Sequence, residues 1–277
     1  MIKPFWLCLG VNNHPDYYKY LPLVVTAWKK FFPECKIALA YVGDEEKSPF
    51  EYDGVDKFFH FPEIGGIPSA NLSKVVRYFI AAQMGSDTIC LIHDMDSIPL
   101  QRPYWEWLFK DYVHGKLLAV GGEVYEGANE GKFPASNMMG SGEVFTKLIN
   151  PLGWSFIALV HSCVGVRQFD DKENIAQIRQ IFSDESLIRY LIHKNLKPED
   201  VVYRERKCNP QTEWWDRSFN AYWDMGKLKA GEYVEAQLPR SFDEKGGGTD
   251  ISPAMDYIFG RRGIELDGKG WLTFDKK

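Results

Sequence analysis

Asp94 and Asp96 stand two residues apart, just after the apolar run Thr88-Ile89-Cys90-Leu91-Ile92 and His93. Such a run reads as a strand buried on both faces, and in open α/β sheets ligands collect at the carboxyl ends of the strands. Side chains two apart in an extended segment project to the same side. Two carboxylates held that way repel each other unless a cation lies between them. Hard carboxylate oxygens suit Mg²⁺ or Mn²⁺, and such an ion keeps positions for the phosphates of a nucleotide. The competing reading is that both aspartates shape a turn capping the next segment, as Asp commonly does.

The elements that must position this pair are legible in the first half of the chain. Phe5 to Val11, Lys36 to Val42, Lys57 to Phe61, Thr88 to Ile92 and Lys116 to Val120 read as strands. Asp16 to Phe32, with Pro22 in its first turns, and Ala70 to Met84 have helical spacing. Alternating strands and helices predict an α/β fold, a mostly parallel central sheet flanked by helices. Asn12 ends the first strand and Asp44 the second, so both should line a nucleotide pocket, with Asp44 near base or ribose; ordinary turn chemistry is the alternative for each. Lys74 and Arg77, three apart, share a helix face away from Val75 and Val76. They could contact phosphate or sugar oxygens, Arg77 ahead of Lys74 because it lies further into the helix beside the apolar Phe79–Ile80 edge, or simply be solvated.

The second half is less regular. In Asn137-Met138-Met139-Gly140-Ser141-Gly142 the glycines permit close backbone approach to a ligand but also make plain helix entry, and helices are expected near Lys172 to Phe182 and Asp184 to His193. Asp184 and Glu185 open the latter, where acidic residues are favoured for dipole reasons alone. In a Trp-dense stretch (Trp214, Trp215, Trp223), Glu213-Trp214-Trp215-Asp216-Arg217 has sugar-stacking chemistry, but large aromatics are more often core. The tail carries Arg240 and Lys245-Gly246-Gly247-Gly248, either a lid over a diphosphate or a solvent loop.

The run from Thr88 to Pro99, with the basic helix Ser73 to Tyr78 ahead of it, resembles the strand and DxD motif of GT-A glycosyltransferases. That resemblance implies a single GT-A-like (Rossmann-like) domain over 1–277, with a nucleotide-binding half (1–120) and an acceptor or sugar-side half (121–277). It implies Mn²⁺ or Mg²⁺ bound most directly by Asp96, with Asp94 towards ribose or a metal-bound water. Lys74 or Arg77 would reach the donor, and Ser141 and Gly142 would lie beside the donor sugar. Asp184, ahead of Glu185, would hold the sugar or act as base. The substrates implied are a UDP- or GDP-sugar and a glycan or other hydroxyl acceptor. Many such enzymes supply a late His as third metal ligand. No His follows His193 in this chain, which leaves Asp243, Asp250 or water.

Composition agrees. A net charge of -5, from 33 basic and 38 acidic residues, argues against nucleic acid as the partner, because a polyanion calls for a basic stripe. The five cysteines are scattered with no CxxC pair, so reduced thiols in a soluble, cytoplasmic protein are expected. No apolar run approaches the ~20 residues of a membrane span. A nucleotidyltransferase is a weaker alternative, since Val11-Asn12-Asn13-His14 stands where its Gly-rich phosphate loop belongs. A non-catalytic carbohydrate-binding protein is another.

Overall fold

A computed structural model describes residues 4–44, 54–121, 133–164, 184–205, 213–215, 224–238, 252–260, 264–266 and 272–274. Seven strands form the central sheet: β1 (Trp6–Asn12), β2 (Lys36–Val42), β3 (Lys57–Phe61), β4 (Ile89–Ile92), β6 (Leu117–Val120), β7 (Met138–Ser141) and β8 (Val201–Arg204). Their order is β3-β2-β1-β4-β7-β6-β8. Every neighbouring pair is parallel except the two that involve β7, which runs the other way. The chain leaves β1 towards β2 on one side and returns as β4 on the other, so the order reverses between β1 and β4. That reversal opens a crevice at the carboxyl ends of both strands.

The strands are apolar on both faces because helices cover both. Leu7, Leu9 and Val11 of β1 join a cluster with α2 (Leu21–Phe31) and α4 (Arg102–Phe109). Cys8 joins the opposite cluster with α3 (Ser69–Ala82), α5 (Gly142–Ile149), α6 (Phe156–Val164) and α7 (Asp184–Asn195). The helix expected over 16–32 is two pieces, α1 (Pro15–Tyr18) and α2, the second opening with Pro22 in its first turn. Proline has no N–H to give and fits there, whereas inside one long helix it would break the ladder.

A second sheet is invisible in the local pattern. β5 (Ser97–Pro99) pairs antiparallel with β10 (Tyr233–Gln237), which pairs parallel with β9 (Glu213–Trp215). Two of these strands are three residues long, too short for period-2 alternation to register. The short helices α8 (Met225–Ala230) and α9 (Ser252–Phe259) and the hairpin β11 (Ile264–Leu266)–β12 (Leu272–Phe274) complete the described elements. The helix expected over 172–182 lies outside the described residues, as do Trp223, Arg240 and the glycines 246–248. The central sheet also continues past residue 120, taking β7 and β8 from the second half. Among the described residues no helix is long and apolar enough to cross a membrane.

Helix α3 lies unusually close to β1. A Cβ built on Gly10 would stand 1.8 Å from the backbone oxygen of Ser73. Gly10→Ala must push the helix off the strand and is expected to destabilise by about 1–3 kcal/mol, the usual cost of overpacking, measurable by urea denaturation. Cys8, Cys35 and Cys90 are buried and free, and burial raises the Cys35 thiol to about 12 and Cys8 well above its ordinary range. Because the thiolate is the reactive form, iodoacetamide at pH 8 should leave all three unmodified until denaturant is added, as read by peptide mass mapping.

Candidate functional site

The alternation of β4 decides where the residues after it point. Ile89 and Leu91 face the α2–α4 cluster, and Cys90 and Ile92 face the α3 cluster. His93 continues the first series, its ring set edge-on to Trp28 at 4.9 Å and to Trp105 at 5.5 Å. Asp94 continues the second and meets Arg77 of α3. The chain then turns through Met95 and Asp96 before β5 begins. The extended conformation expected for Asp94 to Asp96 is therefore replaced by a turn.

Arg77 answers the Asp94 charge. Its guanidinium is 3% exposed; Nη1 donates to His93 O at 2.7 Å and to Asp94 Oδ1, and Nε donates to Lys74 O at 3.0 Å. The side chain reaches back along α3 towards its N-terminus, the direction a helical Cα–Cβ bond favours. Lys74, three residues earlier, is exposed. The two basic residues expected to act together thus occupy different environments, because Arg77 sits on the edge of the helix that packs on the sheet. The Asp94 side chain is 32% exposed, whereas Asp96 is only 4% exposed with its carbonyl accepting from Leu238 N at 2.6 Å.

Asn12 lies at the same edge, at the end of β1, but is buried. Its Nδ2 donates to Ser69 Oγ at 3.0 Å, which ties β1 to the first residue of α3. Asp44 is exposed just past β2, close enough that its charge, after burial, helps raise the Tyr41 hydroxyl above its ordinary range. Ser141 and Gly142 are elsewhere. Asn137 to Gly142 contains strand β7 rather than a loop, and β7 is antiparallel, so Met138 pairs with Ile92 while Ser141 pairs with Ile89. Ser141 and Gly142 thereby reach the edge opposite Asp94. Ser141 Oγ caps α5 by accepting from Val144 N, and Gly142 packs against the backbone of Met84 and Gly85.

Glu185, in the first turn of α7, accepts a backbone hydrogen bond from Phe133 N at 3.3 Å, four residues before Asn137. Helix α7 leads to β8, which starts at the edge opposite the site, beside Leu117. The start of α7 therefore lies on the side of the carboxyl ends, and Asp184 and Glu185 open it there. The side chain of Asp184 and those of Trp214 and Trp215 are not among those described.

Beneath the turn lies a polar cluster that sequence reading missed. His93 Nδ1 stands 2.8 Å from Asn137 Oδ1, and Nε2 stands 3.2 Å from Ser97 O. Asn137 Nδ2 donates to Glu235 Oε2 at 3.4 Å, and Ser97 Oγ donates to Glu235 Oε1 at 2.5 Å. Glu235 Oε1 also lies 4.0 Å from His93 Nε2. All four residues are buried. The one local signal was a lone Asn next to a strand, and Asn137 is the single non-glycine residue with positive φ, 61°, among the described residues.

Asp94 and Asp96 place two carboxylates, the donor type that a hard divalent cation takes, within one turn at the carboxyl edge. Among the described residues no third His, Cys, Asp or Glu joins them in a group able to hold a metal ion, and Asp243 and Asp250 lie outside those residues.

No family model matches the sequence. No curated protein matches it. Solved structures do. The galactosyltransferase LgtC in complex with donor and acceptor sugar analogues superposes with a TM-score of 0.50 at 11% identity, over 96% of this chain and 99% of that one. The chain has a GT-A fold. An active-site mutant of LgtC gives 0.47 at 11% identity, over 92% and 95% of the two chains, and only the first of the two bears on the fold.

Removing the Asp94 charge leaves a buried guanidinium without its counter-ion. Asp94→Asn is expected to destabilise by about 1–3 kcal/mol in urea denaturation, the range for losing a charged hydrogen-bond partner. The exposed Lys74→Ala should stay within about 0.5 kcal/mol of the parent.

Proposed function

We propose that this chain is a metal-dependent glycosyltransferase. It moves a sugar from a nucleoside diphosphate sugar, UDP- or GDP-linked, to a hydroxyl of a glycan or other acceptor. The observation that carries this reading is the Asp94–Arg77 pair at the carboxyl end of β4, beside the reversal of strand order. Support comes also from the fold, which is shared with a galactosyltransferase solved with donor and acceptor sugar analogues.

Asp96 and Asp94 are the residues that would hold Mn²⁺ or Mg²⁺, which as a Lewis acid stabilises a departing diphosphate. Arg77 acts through Asp94, fixing the carboxylate from behind. Asn12 and Ser69 join β1 to α3 and so shape the crevice between them, with Asp44 exposed at its far side. A carboxylate at the start of α7, Asp184 or Glu185, would take the proton of the acceptor hydroxyl in an inverting transfer.

The test is a thermal-shift panel of UDP, GDP and their sugar conjugates, with and without Mn²⁺. A ligand that binds only the native state raises the melting temperature, by about 2.7 kcal/mol of stabilisation at a hundredfold excess over Kd. The expected outcome is a shift that needs both one nucleotide and the metal. Asp96→Ala should abolish both the shift and donor-dependent transfer while the chain keeps its fold. Full turnover in Asp96→Ala would sink the metal reading. Sugar-1-phosphate and nucleoside triphosphate turnover would point to a nucleotidyltransferase, and metal-independent glycan binding alone to a binding protein.

A further inference from the structure

The cluster under the turn joins three stretches of chain that are remote in sequence. His93 and Ser97 bracket the Asp94–Asp96 turn, Asn137 precedes β7, and Glu235 belongs to β10, with separations of 44, 98 and 138 residues across the linking bonds. Glu235, 2% exposed, is a carboxylate with almost no water to solvate it, which is costly unless its oxygens are hydrogen-bonded. Both oxygens accept, one from Ser97 and one from Asn137. Because a carboxylate only accepts, it fixes which way the Asn137 amide points: Nδ2 towards Glu235 and Oδ1 towards His93. His93 is gripped at both ring nitrogens by oxygens and edge-on by two tryptophans.

The backbone repeats the connection. Asn137 N donates to Ile92 O at 2.8 Å, Leu238 N to Asp96 O at 2.6 Å, and Leu100 N to Val234 O at 3.0 Å. The turn bearing the two aspartates is therefore held from both sides, by β10 and by the approach to β7.

We infer that Glu235 and Asn137 are positioning residues that set the conformation of the Asp94–Asp96 turn through His93 and Ser97. Neither side chain reaches solvent, so neither touches substrate. The inference rests, for its catalytic consequence, on the glycosyltransferase reading of that turn.

Two variants separate this role from simple folding. Asn137→Gly keeps a residue that adopts φ of 61° without strain and removes only the amide. Glu235→Gln keeps the shape but removes the charge and turns one acceptor into a donor, which the Ser97 hydroxyl must reorient to accept. Hydrogen exchange on the unliganded full chain, read by mass spectrometry, should show at least tenfold faster exchange in peptides carrying the His93 and Leu238 amides. Peptides from β1 and α3 should exchange as in the parent. Unchanged exchange at the turn, or acceleration spread over the whole chain, would overturn the inference. In transfer assays both variants should lose at least tenfold in kcat with acceptor KM within threefold of the parent. Faster exchange at the turn with unchanged kcat would reduce the cluster to a structural device and overturn the positioning role. Absence of transfer by the parent protein would instead count against the proposed function, and the exchange experiment would still decide the placement of the turn.

Discussion

A guanidinium enclosed by protein is tolerated only where its N–H groups find acceptors and its charge finds a counter-charge, and Arg77 meets both conditions at one place, the end of β4. Much else follows from satisfying that requirement. Helix α3 must lie near enough for the side chain to reach His93 O and Asp94, and Gly10 permits the approach by presenting no Cβ to Ser73. Asn12 and Ser69 fasten the start of the same helix to the end of β1. The crevice between β1 and β4 is thus walled by a helix whose distance from the sheet is set by one glycine and one buried cation.

The other side of the turn depends on chain reversal. β7 runs against its neighbours, which carries Asn137 to the carboxyl edge and Ser141 away from it. β10 then enters a second sheet beside β5, immediately after Asp96, and delivers Glu235 beneath the turn. Parallel strands alone would bring only strand ends and helix starts to this edge. The antiparallel members add buried polar groups that reach the turn from below.

The two sides differ in what they can contribute. The upper residues, Asp94 and Asp44, have solvent access and charge, which ligand binding needs. The lower ones, His93, Asn137, Ser97 and Glu235, are enclosed and fully engaged with each other, which makes them suited to holding geometry. An edge-on contact from Trp28 and Trp105 onto His93 ties this cluster to the apolar core formed by α2 and α4. Packing quality in that core is therefore felt at the turn.

The sequence by itself determined five of the six strands described in the first 120 residues, the helix carrying Arg77 and the edge on which Asp94 sits. Each depends on short-range patterning: apolar runs of strand length, helical spacing, and a polar pair where an apolar run stops. It set Arg77 apart from Lys74 by its place beside the apolar Phe79–Ile80 edge, but could not show that Arg77 is buried against His93 O and Asp94, which only the packed sheet decides. The GT-A resemblance implied Ser141 and Gly142 beside the donor sugar, whereas the direction of β7, which four residues do not encode, carries them to the other edge. The link from His93 through Asn137 to Glu235 lay beyond it altogether, since hydrogen bonds across 44 and 98 residues leave no periodicity to read. Local sequence encodes which faces are apolar; which distant polar groups end up sharing a buried site is decided when those faces pack.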